Sequence, residues 1–210
     1  MENTIFMAKV SDNRDPDGLN RIKVTYTNEG EAVSHWIPYL SSLAGDGTGV
    51  SVLPDVDAQV IVAALDMHRT SLVALGTVWS EGAAPPETEE NADADLNQDG
   101  KNSLSFIKTK GGNLIILDDT EGREKIQVIH GKTNSRVEFL AEDKKISITT
   151  DEEIEVTSKK DLNIKAENIS IEAEKELNFQ CEDLQVKAGK EVSIEADKDM
   201  TLKGSGIALN

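Results

Sequence analysis

Asp95, Asn97 and Asp99, followed by Gly100, stand in the run DLNQDG with the spacing by which the first half of a calcium loop presents its oxygen ligands. Such a loop needs a bidentate Glu at its twelfth position, and counted from Asp95 that residue is Phe106. A solvated acidic segment is therefore the better reading. His35, His68 and His130 lie far apart, with no second histidine or cysteine at ligand spacing, so no metal and no cofactor is expected. Adjacent carboxylates such as Asp118/Asp119 and Glu152/Glu153 suggest acid–base chemistry, but neighbours along a strand point to opposite faces. No nucleophile elbow, phosphate loop or dinucleotide fingerprint is present. No catalytic residue is assigned, and the chain is not expected to be an enzyme.

The elements that hold these residues follow from composition and pattern. The chain has 210 residues, 38% hydrophobic but only 4% aromatic, which favours β-branched, pleated packing. Its net charge of -17 opposes binding to a phosphate backbone, so nucleic acid is a poor partner. The start, MENTIFMAKV, has no basic segment leading into a long apolar run, and no membrane anchor or exported leader is expected. Cys181, the one cysteine, forms no intramolecular disulfide, which suits assembly in a reducing cytoplasm.

Residues 1–80 hold five apolar stretches, IFMAKV, RIKVTY, VSHWIPY, QVIVAAL and SLVALGTVW, separated by Gly, Pro, Asp and Asn. That pattern predicts a five-stranded, OB-like barrel, with a turn at Asp15–Gly18 and a flexible loop over Ala44–Gly49. Residues 81–103 carry seven acids against one base, and within them Pro85 and Pro86 are followed by an acidic, aromatic-free run, which reads as an extended linker.

Residues 104–210 contain the strongest pattern. Apolar residues recur as pairs two apart: Ile146/Ile148, Ile154/Val156, Leu162/Ile164, Ile169/Ile171 and Leu177/Phe179. The series continues through Leu184/Val186, Val192/Ile194, Met200/Leu202 and Ile207/Leu209. Steps between pairs are 8, 8, 7, 8, 7, 8, 8 and 7 residues, and two residues after each of the first eight pairs stands a small one: Thr150, Ser158, Ala166, Ala173, Cys181, Ala188, Ala196 and Gly204. Residues two apart share a face in a strand and not in a helix. The pairs therefore fill an interior, Cys181 acts as an inert small filler, and the charged residues between bend the chain. A single chain making three turns of such a solenoid would be marginal, whereas three intertwined chains pair their open edges with one another. The expected fold is all-β: an N-terminal OB-fold barrel followed by a C-terminal β-helix or β-prism needle, intertwined as a homotrimer.

The segments GLNRIKVTY, WIPYLSSLAGDGTGVSVLPDVDAQVIVAALDMHRTSLVALGTVWSEGAAPP and SFIKTKGGNLIILDDTEGREKIQVIHG, together with the paired repeats, resemble the VgrG-type spike and phage baseplate assembly protein V family. The resemblance implies the structural central spike of a contractile, phage-tail-like injection machine, mounted under a baseplate hub and driven through a target cell envelope when the sheath contracts. It implies assembly in the bacterial cytoplasm and incorporation into a virion tail or tail-like particle. Long N-terminal hub domains are absent, so a separate hub protein is expected. Residues 81–103 leave no room for a lysozyme domain, and no His-x-His motif marks an iron-binding apex. The last residues, Gly204, Ser205, Gly206, Ile207, Ala208, Leu209 and Asn210, are expected to face a separate tip protein of the PAAR type. The alternative is an oligonucleotide-binding OB module with an oligomerising tail. It requires a basic groove with stacking aromatics, but residues 1–80 offer five bases against ten acids, with Trp36 and Trp79.

Overall fold

The computed structural model describes residues 4–27, 31–86 and 100–207; among them every regular element is a strand and none is a helix. Two compact units divide the chain, residues 1–155 and 156–210. The expected all-β class and N-terminal β domain are present.

The N-terminal domain contains β1 (Ile5–Asp12), β2 (Arg21–Thr27), β3 (Glu31–Val33), β4 (Ile37–Pro38), β5 (Ala44–Gly45), β6 (Thr48–Gly49), β7 (Gln59–Ala64) and β8 (Leu72–Thr77). The sheet runs β3-β2-β1-β7-β8, with β4 also paired to β2. Alternate residues of the long strands point inward, as a half-buried antiparallel sheet requires: Ala8 and Val10, Ile22 and Val24, Val60 and Val62, Leu72 and Ala74, joined by Ile37 of β4. Register shifts in β1/β2 near Ser11 and in β7/β8 near Leu75 add a residue to one strand of each pair, which increases local curl. At the far edge, Tyr39 forms a single parallel bridge with Ala74, and the Leu40 N–H donates to the Ala74 carbonyl at 2.8 Å. The two ends of the curled sheet thus meet through one bridge rather than the full ladder of the expected closed barrel.

The segment Ala44–Gly49, expected as a flexible loop, is the β5–β6 hairpin. Its closure depends on Gly49, where a Cβ would lie 2.7 Å from the Leu43 carbonyl oxygen.

Residues 104–149 form a five-stranded antiparallel meander: β9 (Leu104–Lys108), β10 (Leu114–Asp118), β11 (Lys125–Ile129), β12 (Arg136–Leu140) and β13 (Lys145–Thr149). The first pair of the predicted needle, Ile146/Ile148, therefore lies on β13 and is hydrogen-bonded to β12 of the same chain. The turns use residues with positive φ, Gly112, Gly122, Asn134 and Lys144. Gly131 allows the β11–β12 turn to touch the β9–β10 turn: a Cβ there would sit 2.4 Å from the Gly111 carbonyl oxygen and from the Gly112 carbonyl carbon.

Register places two rows of side chains on one face of this meander. Ile107, Ile115, Val128, Val137 and Ile148 form the first row; Ser105, Leu117, Ile126, Phe139 and Ile146 form the second. The opposite face carries Asp118, Lys125, Gln127, Arg136 and Glu138 among apolar residues. Burial is inverted relative to chemistry. Asp118 and Gln127 are 3% and 2% exposed, while Ile107 on the apolar face is 66% exposed.

After Thr149 no described residue joins a strand, and every described residue from 151 to 207 is exposed. The backbone is nevertheless regular. It bends at 151–152, 159–160, 167, 174–175, 182, 189–190, 197–198 and 205, and the intervals between these bends are seven unbent segments of six residues each. No described residue after Lys144 has a positive φ. Among the described residues no helix is long and apolar enough to cross a membrane.

Candidate functional site

The candidate site is the repeated apolar surface, and its geometry starts with the six-residue segment. Residues 161–166, Asp-Leu-Asn-Ile-Lys-Ala, and 191–196, Glu-Val-Ser-Ile-Glu-Ala, are typical: acidic first, apolar second and fourth, small last. Positions two, four and six share one face of an extended backbone, so the pair and its small neighbour lie together on that face. Each segment spans roughly 20 Å at about 3.3 Å per residue.

The bend that follows comes directly after the small residue in all eight instances. Where the step between pairs is eight residues the bend has two residues, and where it is seven the bend has one. The irregularity of the sequence repeat is thus absorbed wholly in the bends, and every extended segment keeps the same phase.

Within one chain this face has nothing against it. Ile154, Leu162, Ile164, Ile169, Ile171, Leu177, Phe179, Leu184, Val192, Ile194, Met200, Leu202 and Ile207 are all more than half exposed, and Val156 and Val186 reach 69% and 71%. In each pair from Ile154/Val156 to Met200/Leu202 the first member is the less exposed, a periodic environment that matches the periodic backbone. Cys181 is free and exposed in its small-residue position. Of the expected tip-facing residues, Gly204, Ser205, Gly206 and Ile207 lie at the end of the described chain. Ala208, Leu209 and Asn210 lie outside the described residues, so the ninth pair is seen only through Ile207.

The structure adds residues that the paired repeat did not single out. Ile115/Leu117, Ile126/Val128 and Val137/Phe139 are also apolar pairs two apart, but their steps are 11, 11 and 9 residues. Two open grooves lie over these rows. One, of about 440 Å³, is lined by Ile126, Phe139 and Ile146 with a charged rim. The other, of about 610 Å³, is lined by Ile107, Ile115, Val128, Val137 and Ile148 and reaches Ile154 of the next pair.

In the N-terminal domain carboxylates organise turns rather than a reaction centre. The Asp15 carboxylate accepts from the Asp17, Leu19 and Arg21 backbone N–H groups and from Arg21 Nε and Nη2 at 2.9 and 2.7 Å. The Arg21 guanidinium is the main reason its pKa is held far below the ordinary carboxylate range. Asp66 closes the β7–β8 turn by accepting from the N–H groups of His68, Thr70 and Ser71 and from the Thr70 hydroxyl. These bonds, that of the Thr70 N–H foremost, bring its pKa down to about 2. Trp36 carries Lys23 over its ring at 4.9 Å, and Arg69 covers Phe6 at 4.7 Å. The Trp36 face is occupied from within the chain; Trp79 is 64% exposed.

The residues first considered for chemistry do not converge. Asp118 accepts from the Thr120 N–H at 3.0 Å, while the Asp119 N–H donates to the Ser103 carbonyl. His130 contacts Thr133 at 2.8 Å, and His35 and His68 are exposed. Among the described residues no three His, Cys, Asp or Glu side chains cluster so as to hold a metal. Asp95, Asn97 and Asp99 lie outside the described residues.

A curled β domain is thus followed, further along the chain, by a long run of regular extended segments. Residues 6–79 match the family model of the Type VI secretion system/phage-baseplate injector OB domain. The match falls on the strands of the N-terminal domain, which are similar to that family, and leaves residues 80–210 outside it. No curated protein matches the chain.

Proposed function

We propose that this chain is the central spike subunit of a contractile, phage-tail-like injection machine, acting as a homotrimer without catalytic activity. The observation that carries the reading is the run of seven six-residue segments whose apolar faces are bare in one chain. Such a run exposes backbone donors and acceptors along its whole length as well as apolar pairs, and leaving them so is costly. Three copies wound about one axis would pair the open edges and bury Ile154 to Ile207 against their symmetry mates.

In this reading the OB domain sits as a collar under a separate hub protein, and the needle carries a PAAR-type tip protein near Gly204–Ile207. Sheath contraction drives the needle through the target envelope. A rigid trimer suits that task because intertwined chains unfold slowly under load. Gold labelling of a tagged chain on isolated particles tests the placement. The label is expected on the axis at the baseplate end, and absent from particles made with Ile171→Asp, which sets an unpaired charge on the needle axis. Label distributed along the tube or sheath would overturn the proposal.

A further inference from the structure

We propose that the outward charges of the repeat form a register code, in which alternating lysine and glutamate side chains let a segment of one chain fit only beside the following segment of another. The inference rests on the trimeric reading above and adds which residues set the stagger between copies.

Different ways of winding place different segments side by side. Three chains wound about one axis, each passing to the next of three walls at every bend, set each segment beside the following segment of a neighbour. One chain coiled alone sets each segment beside its own third successor, and three chains abreast set each beside its own copy. Neighbours in any such wall lie about 4.8 Å apart, within reach of one another's side chains.

Positions one, three and five of a segment share the face opposite the apolar pair. From Asp161 onward, position one is acidic in five of six segments and position three is always uncharged, so neither distinguishes these arrangements. Position five does. Its charged members are Lys165, Glu172, Lys187, Glu195 and Lys203, with Gln180 between Glu172 and Lys187. A one-segment stagger sets Lys165 beside Glu172, and Glu195 between Lys187 and Lys203, with no like pair. The three-segment offset of a lone coil sets Lys165 beside Lys187 and Glu172 beside Glu195, with no opposite pair. The last residue of each bend carries a second alternation: Lys160, Glu167, Lys175, Glu182 and Lys190. An alternation of period two suits a shift of one segment and opposes a shift of none or two. Only the step from Lys190 to Lys198 breaks it, and there Asp197 shares the bend. Among the described residues none of these lysines and glutamates forms an ion pair within its own chain, so the pattern has no use in a single copy.

Disulfide formation in the full-length protein tests this. In a Cys181→Ala background, Asn163→Cys and Ser170→Cys occupy position three of successive segments. Oxidation of the double variant is expected to link each chain to the next into a covalent trimer, with each single variant unlinked. A linked dimer of Asn163→Cys alone would overturn the inference. Adding Glu172→Lys and Glu195→Lys makes position five wholly basic while bringing the net charge from -17 closer to zero, so general repulsion between copies falls. Covalent trimer should nevertheless drop on the order of tenfold at low salt. It should recover at about 1 M salt, where screening acts within about 3 Å. Further addition of Lys165→Glu, Lys187→Glu and Lys203→Glu inverts every charge, keeps the alternation and should restore the original yield. Unchanged linkage in the all-basic variant, or no rescue by full inversion, would overturn the code and leave the trimeric needle standing. Monomer mass of the unsubstituted protein would overturn both.

Discussion

Deleting a single residue should be harmless or ruinous depending on whether it falls in a bend or in an extended segment. Removing Lys160 converts the two-residue bend at 159–160 into the one-residue bend already used at Glu167 and Glu182, and leaves Leu162 and Ile164 on their shared face. Removing Asn163 makes Leu162 and Ile164 neighbours, which turns one of them to the opposite face and brings Lys165 inward. Ile164 is 70% exposed in the single chain. Covering it removes roughly 120 Å² from water, which at about 25 cal/mol per Å² is about 3 kcal/mol per chain and about 9 kcal/mol per trimer. Burying three Lys165 ammonium groups without partners adds to that loss. Thermal unfolding and limited trypsin digestion of both variants give the comparison. Deletion of Lys160 is expected to keep the wild-type melting temperature and protease-resistant fragment, and deletion of Asn163 to lose both. Equal effects of the two deletions would refute the division into segments and bends.

The remaining predictions concern single positions. Gly131→Ala forces a Cβ against the backbone of Gly111 and Gly112, so chemical denaturation should show a loss of about 1–3 kcal/mol, the usual cost of overpacking. The carboxyl of Asp66 has a folded pKa near 2 against an ordinary 3.8. Its contribution is therefore complete above about pH 4 and is lost as the pH falls toward 2. Asp66→Asn should flatten the fall of the collar's melting temperature in that window, though not abolish it, since Asp15 is shifted in the same direction. An unchanged acid limb would exclude Asp66 as a source. Cys181 occupies a position filled elsewhere by Ala, Ser, Thr or Gly, so Cys181→Ala should leave protease resistance intact and Cys181→Phe should abolish it. A tolerated phenylalanine would place that side chain outside the interior.

The collar strands were legible because the alternation of Ala8/Val10, Ile22/Val24 and Val60/Val62 survives as alternate burial in one chain. The meander was not separable by apolar pairing alone, since Ile126/Val128 and Val137/Phe139 look like members of the needle series. The distinguishing signal is connector length. The six residues at 119–124 and again at 130–135, with Gly122 and Asn134 at positive φ, let the chain reverse and pair with itself. Beyond Lys144 the connectors shrink to one or two residues, positive φ stops, and the chain no longer folds back. The bends were foreseen as charged turns, but their one-or-two-residue compensation emerges only from the backbone. The same sequence could not show that Asp118 and Gln127 would be buried while Ile107 stayed bare, because alternation along a strand tells which residues share a face and not which face the rest of the chain covers.

The central claim is that the bare apolar faces of one chain are filled by two others. Light scattering on the purified full-length protein tests it most directly. A mass of about 68 kDa, three times 22.8 kDa, is predicted, and a stable, folded particle of 22.8 kDa would contradict it.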